Sequence, residues 1–313
     1  MRTPIYIGPA GWSYPDWAGS VYPPKKQRDF DPLEFISSYF NLIEINSTFY
    51  RVPAPEIPRR WAQRVIGNPD FRFTLKAHRD FTHSKTNPTS AAIDTFKRSI
   101  APLLDADRLL CVLLQFPWSF KNTGANRRRI DQLVSSFRPF SVAVELRHGG
   151  WERDGGLEAV AQSGATVCAV DQPVIGDSIP FRDRGAGGQG AGGQSAYFRL
   201  HGRNKSEWFK PDTNRDLRYN YLYSRGELTQ VADTIRGASE TAKEVVVVLN
   251  NHFRGQAVAN SFELKSMLSG AKVPIPARTL NAYPRLRSIA LPDPDAEAAQ
   301  GELFDLDSTA EDN

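Results

Sequence analysis

Groups that could do chemistry recur at the ends of short apolar runs. In LIEINSTFY, residues 42–50, Leu42, Glu44 and Asn46 share one face of a strand while Ile43 and Ile45 share the other. The same design returns as Thr74 and Lys76 in FRFTLKA, Gln115 in LLCVLLQF, and Glu145 and Arg147 in SVAVELR. It returns again as Asp171 in TVCAVD, Arg199 and His201 in AYFRLH, and Asn250 in EVVVVLN. Carboxylates, amides and cations are costly to bury without partners, so these strand ends are expected to open onto one polar site.

Glu44, Lys76, Glu145, Asp171 and His201 are the candidate catalytic groups. A carboxylate beside a lysine suits general acid–base work, with Glu44 or Glu145 as base and His201 as acid or hydrogen-bond donor. Lys76, Arg147 and Arg199 suit an anion, arginine offering a bidentate fork. The bland alternative is an internal ion-pair network in which those three cations neutralise Glu44, Glu145 and Asp171. A divalent metal is the less favoured reading. Glu44, Glu145, Asp171 and His201 are plausible ligands, but no His-x-His or His-Glu-x-x-His spacing occurs, and three nearby cations would repel an ion.

The elements that must position these groups alternate. Strands are expected at residues 5–10, 42–47, 71–77, 109–116, 141–146, 166–171, 196–201 and 244–250. Helices are expected at 31–39, 58–66, 90–100, 127–137, 155–163, 227–236 and 256–268. Asp31-Pro32 supplies an N-cap and a proline at the first helical position. Eight such units predict a parallel (β/α)8 TIM barrel, with strand eight beside strand one and reacting groups at the C-terminal strand ends. An open doubly wound sheet is the runner-up, though GPAGWS is a poor match to its glycine-rich turn. The barrel is assigned to residues 1–272. Residues 273–313 are read as a Pro/Ala-rich extension and an acidic disordered tail, and the Gly-rich stretch 184–194 as a linker-like insertion.

Composition narrows the class. The two cysteines, Cys111 and Cys168, sit in apolar runs and suggest no disulfide framework. No run reaches transmembrane length, and the first residues lack a signal-peptide apolar stretch. A cytoplasmic protein without membrane contact is therefore expected. The net charge of +4 conceals an asymmetry: eight of the 35 acids lie between Asp293 and Asn313, where there is no Lys or Arg. Without them 39 bases face 27 acids, a body of +12 that can attract polyanions.

The motifs GWSYPDWAGSVYPP, LIEINSTFYRVP, LKAHRDFTH, LLQFPWSF, VAVELRHGGW, YFRLHGRN and LNNHFRGQAVANS resemble, in order, those of the YecE-like family, domain of unknown function number 72. The resemblance spans about residues 5–268 and implies a TIM barrel. It implies family positions at Trp12, Glu44, Asn46, Tyr50, Lys76, Gln115, Glu145, Arg147, His148, Trp151, Asp171, Arg199, His201, Gly202, Asn250 and Asn251. Of these, Trp12, Asn46, Tyr50, Gln115, Arg147, His148, Trp151, Arg199, Asn250 and Asn251 are candidate substrate contacts. The family brings no established reaction. The barrel is distantly similar to endonuclease-IV-like and xylose-isomerase-like metal enzymes, whose dense ligand sets this sequence lacks.

Two functions are expected to compete. One is a hydrolase or lyase acting on a phosphate-bearing substrate, nucleic acid or nucleotide first and a sugar derivative second. The other is a non-catalytic nucleic-acid-associated module recruited to DNA repair or replication by its tail. There, Gln300, Leu303 and Phe304 in QGELF resemble the peptide by which bacterial replication and repair proteins bind the sliding clamp.

Overall fold

The computed structural model describes residues 3–25, 28–185, 195–208 and 215–292. Eight parallel strands lie in the order β1-β8-β7-β6-β5-β4-β3-β2. They are β1 (Ile5–Pro9), β2 (Leu42–Ile45), β3 (Arg72–Lys76), β4 (Leu109–Gln115), β5 (Val142–Glu145), β6 (Thr166–Asp171), β7 (Ser195–Leu200) and β8 (Glu244–Leu249). As the strand count implies, β1 pairs with β8, with Ile5 beside Val245 and Pro9 beside Leu249.

The β1–β2 seam is closed differently. The Asn41 side chain stands in for main chain: its Nδ2 donates to Ile5 O and its Oδ1 accepts from Ile7 N, both at 2.9 Å. The two strands then touch at Ala10 and Glu44, where Gly11 N donates to Glu44 O at 2.8 Å. Gly8 permits the approach, because a Cβ there would lie 1.9 Å from Leu42 O.

Helices α1 (Pro32–Ser37), α2 (Glu56–Arg64), α3 (Arg79–Thr82), α4 (Ser90–Asp105), α5 (Gly124–Ser136), α6 (Gly156–Gln162), α7 (Lys205–Trp208), α8 (Arg225–Ser239) and α9 (Gln256–Ser269) connect the strands. Their starts follow local chemistry. Asp31 caps α1 through Leu33 N and Glu34 N, and Ser224 and Glu227 form a reciprocal capping box on α8. Among the described residues no helix is long and apolar enough to cross a membrane.

Alternation along the strands builds two apolar layers. Ile43, Phe73, Leu75, Val112, Leu114 and Val144 pack outward beneath the helices. Leu42, Leu113, Ala143, Cys168, Val170, Tyr197 and Val248 fill the barrel. Both cysteines are buried and free, behaving as small apolar residues.

Residues 273–292 fold back onto the barrel. Val273 bridges Ala290, α10 (Ala277–Ala282) follows Pro276, and Leu286 is fully buried. Arg285 donates to Glu263 Oε2 of α9 at 2.5 Å. This stretch reads from sequence as a plain extension because Pro274, Pro276 and Pro284 interrupt any periodicity. The glycine-rich residues 186–194 and the tail with Gln300, Leu303 and Phe304 lie outside the described residues.

Candidate functional site

At the C-terminal mouth, inward parity places Glu44 of β2, Thr74 and Lys76 of β3, Glu145 of β5 and Arg199 of β7 above the apolar filling. Arg199 organises them. Its Nε donates to Glu44 Oε2 at 2.9 Å and one Nη to Glu44 Oε1 at 2.5 Å, while the other Nη pairs with Glu145 Oε2. Arg147 Nε donates to Glu145 Oε1 at 2.7 Å. The Tyr197 hydroxyl lies 3.2 Å from Glu44 Oε2 and 3.0 Å from Thr74 Oγ1. Glu44, Glu145, Arg199 and His201 are each at most 1% exposed.

Burial fixes the protonation states. Burial would raise the Glu145 pKa, but Arg199, Arg147 and His201 overcome it and hold the carboxyl well below its ordinary range. Arg199 is buried as well, yet Glu145 and Glu44 raise its pKa further. His201 is pushed down to about 3, chiefly by burial against the upward pull of Glu145. It is therefore neutral at pH 7. With Asn250 donating from Nδ2 to His201 Nδ1 at 2.9 Å, the ring proton sits on Nε2, 3.2 Å from Glu145 Oε1.

Two carboxylates and two guanidiniums balance, which makes Lys76 the surplus charge. Burial first, then Arg199, lower its pKa to about 7, while Glu145 pulls the other way. Its Nζ lies 3.9 Å from the Phe49 ring centroid. Among the described residues no hydrogen bond or ion pair engages that nitrogen. It faces a cavity of about 250 Å³. Arg147 and Arg199 line the same cavity, with Trp12, Tyr50, Asn46 and Asn250. Glu44 and Glu145 lie beneath this lining.

The other candidates divide. Trp12 packs edge-on against Trp61 at 5.8 Å, and Tyr50 is 56% exposed at the rim. Gln115 donates to Phe116 O at 2.7 Å and borders a neighbouring cavity. His148 accepts from Gly150 N at 3.0 Å and lies 3.6 Å from Asp177. Trp151 is fully buried, its Nε1 donating to Phe120 O at 2.7 Å. Asn251 is buried between Tyr221 O and Asn260, each at 2.8 Å.

Asp171 does not join the cluster. Cys168 and Val170 are the inward positions of β6, so the next residue turns toward the helix layer. There it accepts from Arg203 Nε at 2.9 and 3.1 Å, and Arg203 reaches Glu227 at the start of α8. Sequence reasoning also passed over Tyr14, Phe49 and Tyr219, which line the cavity together with His252, a histidine expected just beyond a strand end. Tyr14 stacks on His252 at 4.4 Å and Tyr219 lies 4.9 Å from it. Their only signal was the aromatic density of the loops. Among the described residues no group of three or more His, Cys, Asp or Glu could hold a metal ion.

Residues 6–282 match the model of a family described as "Protein of unknown function DUF72". The chain is similar to UPF0759 protein YunF of Bacillus subtilis, 29% identical over 84% of this chain and 94% of that one. It is also similar to UPF0759 protein YecE of Escherichia coli O157:H7, 30% identical over 56% of this chain and 60% of that one. A crystal structure of a DUF72 family protein from Thermotoga maritima superposes with a TM-score of 0.72 at 34% identity, covering 85% of this chain and 99% of that one.

Proposed function

The chain belongs to the DUF72 family, and we propose that its cavity takes a phosphate-bearing ring compound of the nucleotide class, on which Lys76 moves a proton in a hydrolase or lyase reaction. The observation that carries this reading is the lysine itself. Its ammonium faces the cavity beside Arg147 and Arg199, with both nearby carboxylates already taken by guanidiniums.

A phosphate supplies the missing countercharge. Arg147 and Arg199 would hold its oxygens, and Lys76 would be raised back toward its protonated form by the new anion. An amine whose pKa lies near 7 can both accept and donate a proton at neutral pH. Glu44, Glu145, His201 and Asn250 are then positioning residues: they set the two guanidiniums and keep their charge. Trp12 and Tyr50 offer faces for a ring.

Calorimetric titration with inorganic phosphate and a nucleoside 5′-monophosphate tests this at pH 6.5 and pH 9. Binding should accompany proton uptake, weaken at pH 9, and fall at least tenfold in Lys76→Met. Binding indifferent to both changes removes the proposal. A role in nucleic-acid repair or replication rests on the basic body and on Gln300, Leu303 and Phe304. A peptide of residues 295–307 titrated into a sliding clamp tests it. Equal binding after replacing Leu303 and Phe304 by Ala would remove that link.

A further inference from the structure

A second cavity, of about 220 Å³, adjoins the first. Arg147 and Tyr219 border both. Its walls include Trp118, Trp208, His83, Gln115 and Gln172. Neither cavity alone reaches the ~300–1,000 Å³ usual for small-molecule sites, whereas the two joined across Arg147 do.

The two cavities repeat one design. The first sets Trp12 and Tyr50 beside the amide of Asn46; the second sets Trp118 and Trp208 beside the amides of Gln115 and Gln172. Cations occupy the divide and its flanks. Arg147 is anchored on Glu145, and its guanidinium carbon lies 5.8 Å from the Trp208 ring centroid. Lys76 and Arg199 flank it on one side. Arg218 flanks it on the other, and its Nε is buried without a hydrogen-bond partner among the described residues. Among the described residues neither lining contains a carboxylate. Aromatic faces at both ends of a cationic saddle match two stackable rings joined by an anion.

We propose that the site binds a phosphodiester-linked pair of nucleosides, one ring in each cavity and the bridging phosphate on Arg147. This deepens the reading of the first cavity as a phosphate site and rests on it. Substituents on the ring in the second cavity would meet the amides of Gln115 and Gln172. A mononucleotide would leave that cavity to water.

The full-length protein is titrated at low salt and pH 6.5 with inorganic phosphate, with thymidine 5′-monophosphate, and with the 5′-phosphorylated thymidine dinucleotide. The dinucleotide should bind at least tenfold tighter than the mononucleotide. Trp118→Ala should bring the dinucleotide to the mononucleotide level and leave the mononucleotide unchanged, and Trp118→Phe should keep most of the difference. Equal affinities in the native protein overturn the proposal without any variant. A Trp118→Ala that weakens both ligands equally also overturns it. If the mononucleotide binds through Lys76 and the dinucleotide gains nothing, only the two-cavity inference fails. If neither phosphate nor mononucleotide binds, the first-cavity reading falls and this one with it.

Discussion

Glu145 and Asp171 end neighbouring strands of one barrel, both almost wholly buried, yet they are held in opposite ways. Glu145 faces inward and accepts from two guanidiniums and the His201 ring. Its pKa is lowered despite burial. Asp171 faces the helix layer and has Arg203 and the Tyr223 hydroxyl. That is too little, and burial leaves its pKa raised. Burial alone therefore does not mark a reactive carboxylate here. What decides is how many guanidiniums share its oxygens. The inner cluster fixes the cavity floor, whereas the outer one ties the loop after β7 to the start of α8. There Tyr223 accepts from Gly202 N at 2.9 Å and Arg203 reaches Glu227.

The largest expected effect follows from removing the guanidinium that the inner cluster is built around. Arg199→Met leaves buried Glu44 with no guanidinium and Glu145 with Arg147 alone, and should destabilise the fold by about 3–5 kcal/mol in urea titration. A loss below about 1 kcal/mol would mean that water or relaxation compensates Glu44 and Glu145, and the inner cluster would no longer differ from the outer.

Glu145→Gln comes next, at about 2–3 kcal/mol near pH 7, because Arg147 loses its charged acceptor and Arg199 keeps Glu44. Its sign with pH is fixed. A carboxylate whose folded pKa is lowered contributes stability above its unfolded value near 4.5, and loses it as pH falls through the lower folded value. The gap between native and variant protein should therefore close in acid. A gap that widens below pH 4 would contradict this.

Much of this arrangement was legible in the chain. Alternation in LIEINSTFY and SVAVELR put Glu44 and Glu145 on the inner face, and the eight strand-helix units implied the β1–β8 closure. What pairs with what was not legible. The ion-pair alternative and the pocket reading both hold in part: the carboxylates and guanidiniums pair, and Lys76 is left over. TVCAVD is largely apolar on both faces, so its one charged residue reads from sequence as marking the inner face. Parity counted from Cys168 and Val170 says otherwise. Trp151 is carried by a family motif, yet its indole is spent on Phe120 O and on stacking with the Phe120 ring. A sequence shows that a tryptophan is present, not which side of a loop it covers.

Lys76→Met sharpens the comparison from the cavity side. A lysine whose folded pKa has fallen to about 7 binds fewer protons than the unfolded chain between that value and about 10.5. Native stability should rise with pH across this window, and the penalty of the charged amine is fully present below pH 7. The variant should thus melt higher than the native protein at pH 6, with the difference gone near pH 10. A variant that melts lower at pH 6 would show that Lys76 has a stabilising partner when charged.

The smallest effect belongs to Asp171→Asn, and its slope tests the contrast most directly. An asparagine keeps an oxygen for Arg203 and loses only the charge, so the cost near pH 7 should stay within about 1 kcal/mol. The pH dependence has the opposite sign to that of Glu145. A carboxyl whose folded pKa is raised binds its proton more tightly folded than unfolded. Native stability therefore falls as pH rises from near 3.8 through the folded value. Because the asparagine does not titrate, the native protein should be favoured over the variant most in acid, and that advantage should shrink as pH rises. Urea midpoints for both variants between pH 3 and pH 7 give the two slopes side by side. Slopes of the same sign would mean that Arg203 satisfies Asp171 as fully as Arg147 and Arg199 satisfy Glu145. The outer cluster would then be as well compensated as the inner one, despite having one guanidinium where the inner carboxylate has two.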